Sequence, residues 1–124
     1  MFHYQVNRCN QIGFQLLLFL TLTLVTWQAL SPQPIDQTEQ INDKLGHALV
    51  FLFLAAIADH AYATTKFSIK KFSYLMLYGI GIECAQYFIP SREFSFLDMA
   101  ADAAGIIIYW VIFSYIVIRD PTSP

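Results

Sequence analysis

Four apolar stretches follow one another along the chain, separated by short polar segments. They cover residues 12–30, 45–62, 72–89 and 97–118. Each has about the 17 to 25 residues that a helix needs to cross a hydrocarbon core of roughly 30 Å. None shows the regular polar face that a helix of a soluble bundle carries. The pattern therefore predicts an all-α integral membrane bundle of four transmembrane helices.

Composition supports the same prediction. Of 124 residues, 56% are hydrophobic and 13% are charged, which is about half the charged fraction of a typical soluble domain. Four helices and brief loops use nearly the whole chain, so residues 1–124 are predicted to form a single membrane domain. The net charge is −2 and no basic-aromatic patch is visible, so no nucleic-acid partner is expected.

The basic residues predict how the helices are oriented. If four helices alternate in direction, five basic residues lie on one side of the membrane and two on the other. Because Lys and Arg are enriched in cytoplasmic loops, the N terminus, the C terminus and the middle loop are predicted to be cytoplasmic. The five are Arg8, Lys66, Lys70, Lys71 and Arg119, and the two are Lys44 and Arg92.

Ionisable and amide residues collect near one end of three apolar stretches, and in this orientation all three ends lie on the outer side. An ionisable group within a bilayer costs several kcal/mol unless it is paired or hydrated, so it is a functional-site candidate by default. The candidates are Asp43, Lys44, His47, Glu83, Gln86, Arg92, Asp98 and Asp102.

Spacing divides these candidates into two layers. Asp43 and His47 are four residues apart and share a helix face, as do Asp98 and Asp102. Glu83 precedes Pro90 by seven residues, which places it roughly 10 Å inside the helix end. The deeper layer of His47, Glu83 and Asp102 contains the candidate catalytic residues. The layer nearer the water contains Asp43, Arg92 and Asp98. Together with Lys44 and Gln86, these three are the candidate binding residues.

Two carboxyl groups in a narrow dry space would not both ionise readily. That arrangement suits a general acid, a proton relay or a cation site. Small residues such as Gly79, Gly81 and Gly105 predict close helix packing around it. No metal-binding motif is present, so no metal ligand and no cofactor are assigned, and a divalent metal bridging the carboxylates is kept as an open alternative.

Each candidate also has a structural interpretation. His47 would be a capping or interfacial histidine bonded to Asp43, and Glu83 would be held by a structural contact to Arg92 or Gln86. Arg92 would anchor its loop, and Asp98 would only stabilise the start of the fourth helix.

Taken together, these residues resemble the VanZ-like family of small bacterial membrane proteins. The resemblance covers residues 42–115 and rests on a D-K-x-x-H opening at Asp43, an E-x-x-Q at Glu83, and a late R…D…G set from Arg92 to Gly105. The first helix resembles the family in position more than in residues. The chain departs from the family pattern at Asp102, where an asparagine is expected, and at Tyr109, where a second glycine is common. The Tyr109 change implies looser packing there.

The resemblance implies a modest functional expectation. The family is named for an accessory protein associated with resistance to the glycopeptide teicoplanin. We expect a protein of the bacterial inner membrane with an outward-facing site that binds or processes a lipid-linked cell-envelope component. Membrane lipid is the expected partner, and a homo-oligomer is one possible assembly. Catalysis and simple binding stay open. The alternatives are a small proton-coupled carrier acting as an oligomer and a non-catalytic assembly partner of an envelope complex.

Overall fold

The computed structural model describes residues 8–32, 40–63, 65–90 and 92–117. Within them the chain forms four helices, α1 (Arg8–Leu30), α2 (Gln40–Ala61), α3 (Ile69–Tyr87) and α4 (Phe96–Val117). The prediction of an all-α fold with four helices is confirmed. Helices α1 and α2 begin about one turn earlier than predicted, because polar residues continue a helix beyond its apolar stretch and hydropathy marks only the stretch.

Three of these helices are long and apolar enough to cross a membrane, namely Arg8–Leu30, Asp43–Ala61 and Phe96–Phe113. Helix α3 is not among them: its 19 residues include Lys70, Lys71 and Glu83. A membrane protein is therefore supported by three spans, and the crossing of α3 stays a prediction. The orientation of the termini also stays a prediction, and Arg119, on which it partly relies, lies outside the described residues.

Helix α2 lies at the centre of the bundle and contacts the other three helices, α4 most extensively. Helix α3 packs against α1 and α4, whereas the described parts of α1 and α4 do not touch. The helices therefore follow one another around the bundle in the order α1, α2, α4, α3. The buried core consists of Phe51, Leu54, Ala55, Ala58, Phe67, Leu75 and Ile106. Large apolar side chains also cover the outside of all four helices, as expected for surfaces that face lipid.

Two glycines permit the closest helix contacts. A Cβ atom on Gly105 of α4 would collide with the carbonyl oxygen of Ala48 on α2. A Cβ atom on Gly79 of α3 would lie 2.8 Å from Oδ2 of Asp102 and 3.1 Å from the ring of Phe51. Gly81 has open space around it, so only two of the three glycines predicted to allow close packing do so.

At the C-terminal end of α2, hydrogen bonds to Asp59 join α3 and α4 to this helix. Lys71 Nζ donates to Asp59 Oδ1 at 2.8 Å and to the carbonyl oxygens of Tyr62 and Thr65 at 3.0 and 2.7 Å. The hydroxyl of Tyr109 donates to Asp59 Oδ2 at 2.8 Å. Both carboxylate oxygens and the ammonium group therefore have partners, as a buried ion pair requires.

Tyr109 is held firmly by its surroundings. Its ring centre lies 5.4 Å from that of Phe67, edge on, and 5.4 Å from that of Phe113, stacked. Because the ring fills the space and the hydroxyl is bonded to Asp59, the looser packing expected at this position is not observed.

The contact at Gly105 yields a stability prediction. Substitution of Gly105 by Ala should push α2 and α4 apart and lower the free energy of unfolding by about 1 to 3 kcal/mol, the usual cost of overpacking. Substitution of Gly81 by Ala, which adds the same methyl group in open space, is the matched control and should leave stability unchanged or slightly raised. Thermal unfolding of both variants in mild detergent checks this, and equal midpoints would contradict it.

Candidate functional site

Six of the eight predicted site residues meet at the end of the bundle where α2 and α4 begin and α3 ends. Helix α2 supplies three of them, α3 one and α4 two. We call this group the polar cluster; it consists of Asp43, Lys44, His47, Glu83, Asp98 and Asp102. The predicted convergence of residues from distant parts of the chain is therefore present in the structure.

The imidazole of His47 joins α2 to two carboxylates of α4. Its Nδ1 atom lies 2.9 Å from Asp102 Oδ1, and its Nε2 atom lies 3.7 Å from Asp98 Oδ2. The two aspartates reach one ring because residues four apart share a helix face. When Asp102 is ionised, its carboxylate can only accept a hydrogen bond, so Nδ1 is then the donor and a neutral imidazole keeps its free lone pair on Nε2.

Lys44 provides the positive charge of the polar cluster. Its Nζ atom donates to Asp98 Oδ1 at 3.0 Å, and its side chain is 32% exposed against 10% for Asp98. Asp43 is exposed as well. The cluster is therefore open at its mouth and closed at its base, where Asp102 is only 1% exposed.

Glu83 is fully buried, at 0% exposure. Its Oε2 atom accepts a hydrogen bond from the backbone N–H of Ser95 at 3.1 Å. Its Oε1 atom is also buried and has no hydrogen-bond partner among the described residues. Asp98, His47 and Asp102 all lie near enough to interact with Glu83 electrostatically, so this side chain belongs to the polar cluster.

The hydrogen bonds at the start of α4 explain why the Asp98 carboxylate is free to contact α2. Ser95 caps the helix, since its hydroxyl accepts the N–H of Asp98 at 3.3 Å. In a full capping box, the acidic residue at that third position would accept the N–H of the cap residue in return. Here Glu83 of α3 accepts it, and the Asp98 carboxylate contacts Lys44 and His47 instead. Asp98 therefore contacts α2 through its carboxylate and does not only stabilise the start of α4.

The other two predicted residues, Gln86 and Arg92, contact the C-terminal end of α1. Gln86 Nε2 donates to the carbonyl of Ala29 at 2.9 Å, and Arg92 Nη2 donates to those of Gln28 and Ser31 at 2.9 and 3.0 Å. The last carbonyls of a helix lack partners within it, and a cation is favourable there. These bonds match the loop-anchoring interpretation of Arg92, and a binding role for either residue stays a prediction.

Sequence reasoning missed one residue that shapes the site, Ser95, which links Glu83 to α4. Gly79, whose close packing was predicted, makes room for Asp102 against α3. The Ser-x-x-Asp spacing from Ser95 to Asp98 was a readable sign of the cap. Nothing in the sequence pairs Ser95 with Glu83, because that bond joins two helices.

The family model described as VanZ/LLP1 matches residues 2–118. The chain belongs to the VanZ/LLP1 family. This confirms the resemblance and extends it across α1, beyond the 42–115 range on which it was based. No curated protein and no solved structure matches the chain.

This VanZ/LLP1 protein also has an apolar groove of about 330 Å³, lined by residues that are sequence neighbours of Glu83 and Ser95. Its lining begins immediately after Glu83 and resumes immediately before Ser95. The lining residues are Cys84, Tyr87, Phe88 and Phe94. The site therefore combines a charged interior with an aromatic surface at the same end of the bundle.

The bond between His47 and Asp102 can be tested by ¹⁵N NMR of the imidazole, assigned through a His47→Gln variant. We expect the proton on Nδ1 in the wild type and in Asp102→Asn, because an amide oxygen also accepts a hydrogen bond. Asp102→Leu removes the acceptor and should shift the proton toward Nε2. A wild-type imidazole protonated only on Nε2 would show that Asp102 is the donor and would overturn this assignment.

Proposed function

We propose that this VanZ/LLP1 protein binds or processes a lipid-linked cell-envelope component at the polar cluster, on the outer face of a bacterial inner membrane. The observation that carries the proposal is Glu83, a fully buried carboxyl group with one unpaired oxygen. An unpaired carboxylate oxygen away from water must be matched by a proton or a ligand. The open mouth at Asp43 and Lys44 gives a ligand access to the cluster.

The cluster at Asp59 provides an internal comparison. There, Lys71 and Tyr109 pair both carboxylate oxygens, as expected when buried charges serve only to fasten helices together. The polar cluster differs from it by leaving Glu83 Oε1 unpaired. This difference argues against the purely structural alternative for the polar cluster.

A lipid suits this end of the molecule better than a freely soluble ligand. The polar cluster lies at helix ends, and helices that cross the membrane as predicted would hold it near the depth where lipid head groups meet the hydrocarbon core. The groove at the same end of the bundle offers the rings of Tyr87, Phe88 and Phe94 to an apolar chain, and aromatic side chains favour this boundary. An amphiphile would place its head group beside Lys44 and His47 and its chain against the groove.

The pairing of His47 with Asp102 supports proton transfer at the head group. A histidine oriented by a carboxylate is the usual general base. Nε2 of His47 faces the more exposed side of the cluster, toward Asp98, where a water molecule or a substrate hydroxyl would approach. The same geometry serves binding alone, so the proposal covers both.

The carrier alternative requires polar groups along a path through the bundle. Between the polar cluster and Asp59, the buried residues of α2 are apolar: Phe51, Leu54, Ala55, Ile57 and Ala58. On α4, Ile106 occupies the corresponding level and is fully buried. The described core therefore favours a site that opens at one end over a path through the bundle.

The lipid retained during purification tests the proposal. Wild type extracted in mild detergent should hold one head-group class above its abundance in the membrane, measured by mass spectrometry. Glu83→Gln and His47→Ala should lose that enrichment by at least about tenfold, the effect of losing about 1.4 kcal/mol of binding. Both variants should still insert into the membrane, since Gln has the same shape as Glu and keeps an oxygen for the Ser95 N–H.

Glu93→Gln is the matched control, because Glu93 is an exposed carboxyl group at the same end of the bundle. It should retain lipid like the wild type. If the wild type and Glu83→Gln both carry the bulk membrane lipid mixture, the lipid proposal is wrong, and the carrier and assembly alternatives take its place.

A further inference from the structure

The polar cluster is too acidic to bind an anionic head group unaided. It contains the carboxyl groups of Asp43, Glu83, Asp98 and Asp102, opposed by Lys44 and His47. Arg92, the other basic residue predicted on this side, contacts the end of α1. An isolated phosphate would be repelled by this balance of charge, whereas a cation would be attracted.

Three side chains of the polar cluster hold potential metal-ligand atoms close together. One oxygen each of Asp43 and Asp98 and one nitrogen of His47 lie within 4.8 Å of one another, and His47 Nε2 lies 3.7 Å from Asp98 Oδ2. Ligand atoms on one tetrahedral metal are about 3.4 Å apart when the bonds are about 2.1 Å long. Small side-chain rotations would therefore bring the three donors onto one ion.

Asp102 holds His47 in the form that a metal requires. A metal-binding imidazole usually donates its second N–H to a carboxylate, which fixes the tautomer and the ring orientation. The 2.9 Å contact between His47 Nδ1 and Asp102 Oδ1 has this form. The lone pair of Nε2 is then directed toward Asp98 and is available to a metal.

The unpaired oxygen of Glu83 is a separate observation that points to a positively charged ligand. This side chain is fully buried, it is not one of the three donors, and its Oε1 atom has no partner among the residues described. A buried carboxylate oxygen without a partner needs a proton or a cation. When ionised, Glu83 adds to the attraction for a cation held beside Asp98, with which it interacts electrostatically.

Lys44 is compatible with a metal at this position. It occupies Oδ1 of Asp98, and the oxygen nearer to His47 is Oδ2. One carboxylate can thus be held by the ammonium group through one oxygen and bind a metal through the other. With its side chain 32% exposed, Lys44 also remains accessible to a phosphate oxygen.

The geometry points to a divalent-cation site formed by Asp43, His47 and Asp98 and oriented by Asp102. One imidazole with two carboxylates suits Zn²⁺ or Mn²⁺, whereas Mg²⁺ and Ca²⁺ favour all-oxygen sites. Three protein ligands leave a coordination position open. The role of the ion rests on the proposed function: it would receive a phosphate oxygen of the lipid head group and offset the acidity of the cluster.

Metal binding to untagged protein tests this inference. Chelator-treated wild type in nanodiscs should bind one equivalent of Zn²⁺ or Mn²⁺ in isothermal titration calorimetry and retain it through desalting, measured by elemental mass spectrometry. His47→Ala and Asp98→Asn should each weaken binding at least about tenfold, and Asp102→Ala by about 10 to 100 fold as an orienting partner. Glu93→Gln, with its exposed carboxyl group, should bind like the wild type.

Absence of stoichiometric binding of either ion to the wild type would overturn the inference, and so would binding unaffected by His47→Ala. Lipid measured on the same samples separates this inference from the proposed function. Enriched lipid on a protein that binds no metal would refute the metal site alone. Metal binding without enriched lipid would refute the lipid proposal and leave the metal site standing.

Discussion

The close contact of α2 with α4 brings together the site residues that these two helices supply. It depends on Gly105, which brings the α4 backbone against the carbonyl of Ala48. His47 lies beside Ala48 on α2, and Asp102 lies one turn before Gly105 on α4, so the contact sets the 2.9 Å distance between them. In lipid, where burial of apolar surface does not drive helices together, such packing of small residues is a main source of association.

The site also depends on an exchange of hydrogen-bond partners at the start of α4. A single helix with Ser95 and Asp98 at its start would use both for its own cap. Because Glu83 accepts the Ser95 N–H in place of Asp98, the cap stays satisfied and the Asp98 carboxylate contacts α2. Glu83 pairs one of its oxygens in this way and leaves the other unpaired. The helix start and the chemistry of the site are thus coupled through one bond between α3 and α4.

Hydropathy and spacing predicted the parts of this structure that depend on a single helix. Four helices follow from four apolar stretches, and the shared faces of Asp43 with His47 and of Asp98 with Asp102 follow from the helical period. Spacing within a helix does not say which neighbour each face meets. Gln86 and Arg92 were therefore assigned to the site, whereas the order of helices around the bundle places them against the end of α1. Helix α3 formed as predicted, but with its charged residues it is not among the helices that are long and apolar enough to cross a membrane.

Asp102, where the resemblance to the family leads us to expect an asparagine, changes the site in a specific way. Either residue can accept the Nδ1 proton of His47, so the orientation of the ring does not need the extra charge. A carboxylate does more than an amide, because it makes the imidazole a stronger base and a stronger metal ligand. It also adds negative charge beside Asp98 and Glu83, which a neutral asparagine would not. Compared with an asparagine at this position, Asp102 is therefore expected to strengthen cation binding without changing the orientation of the His47 ring.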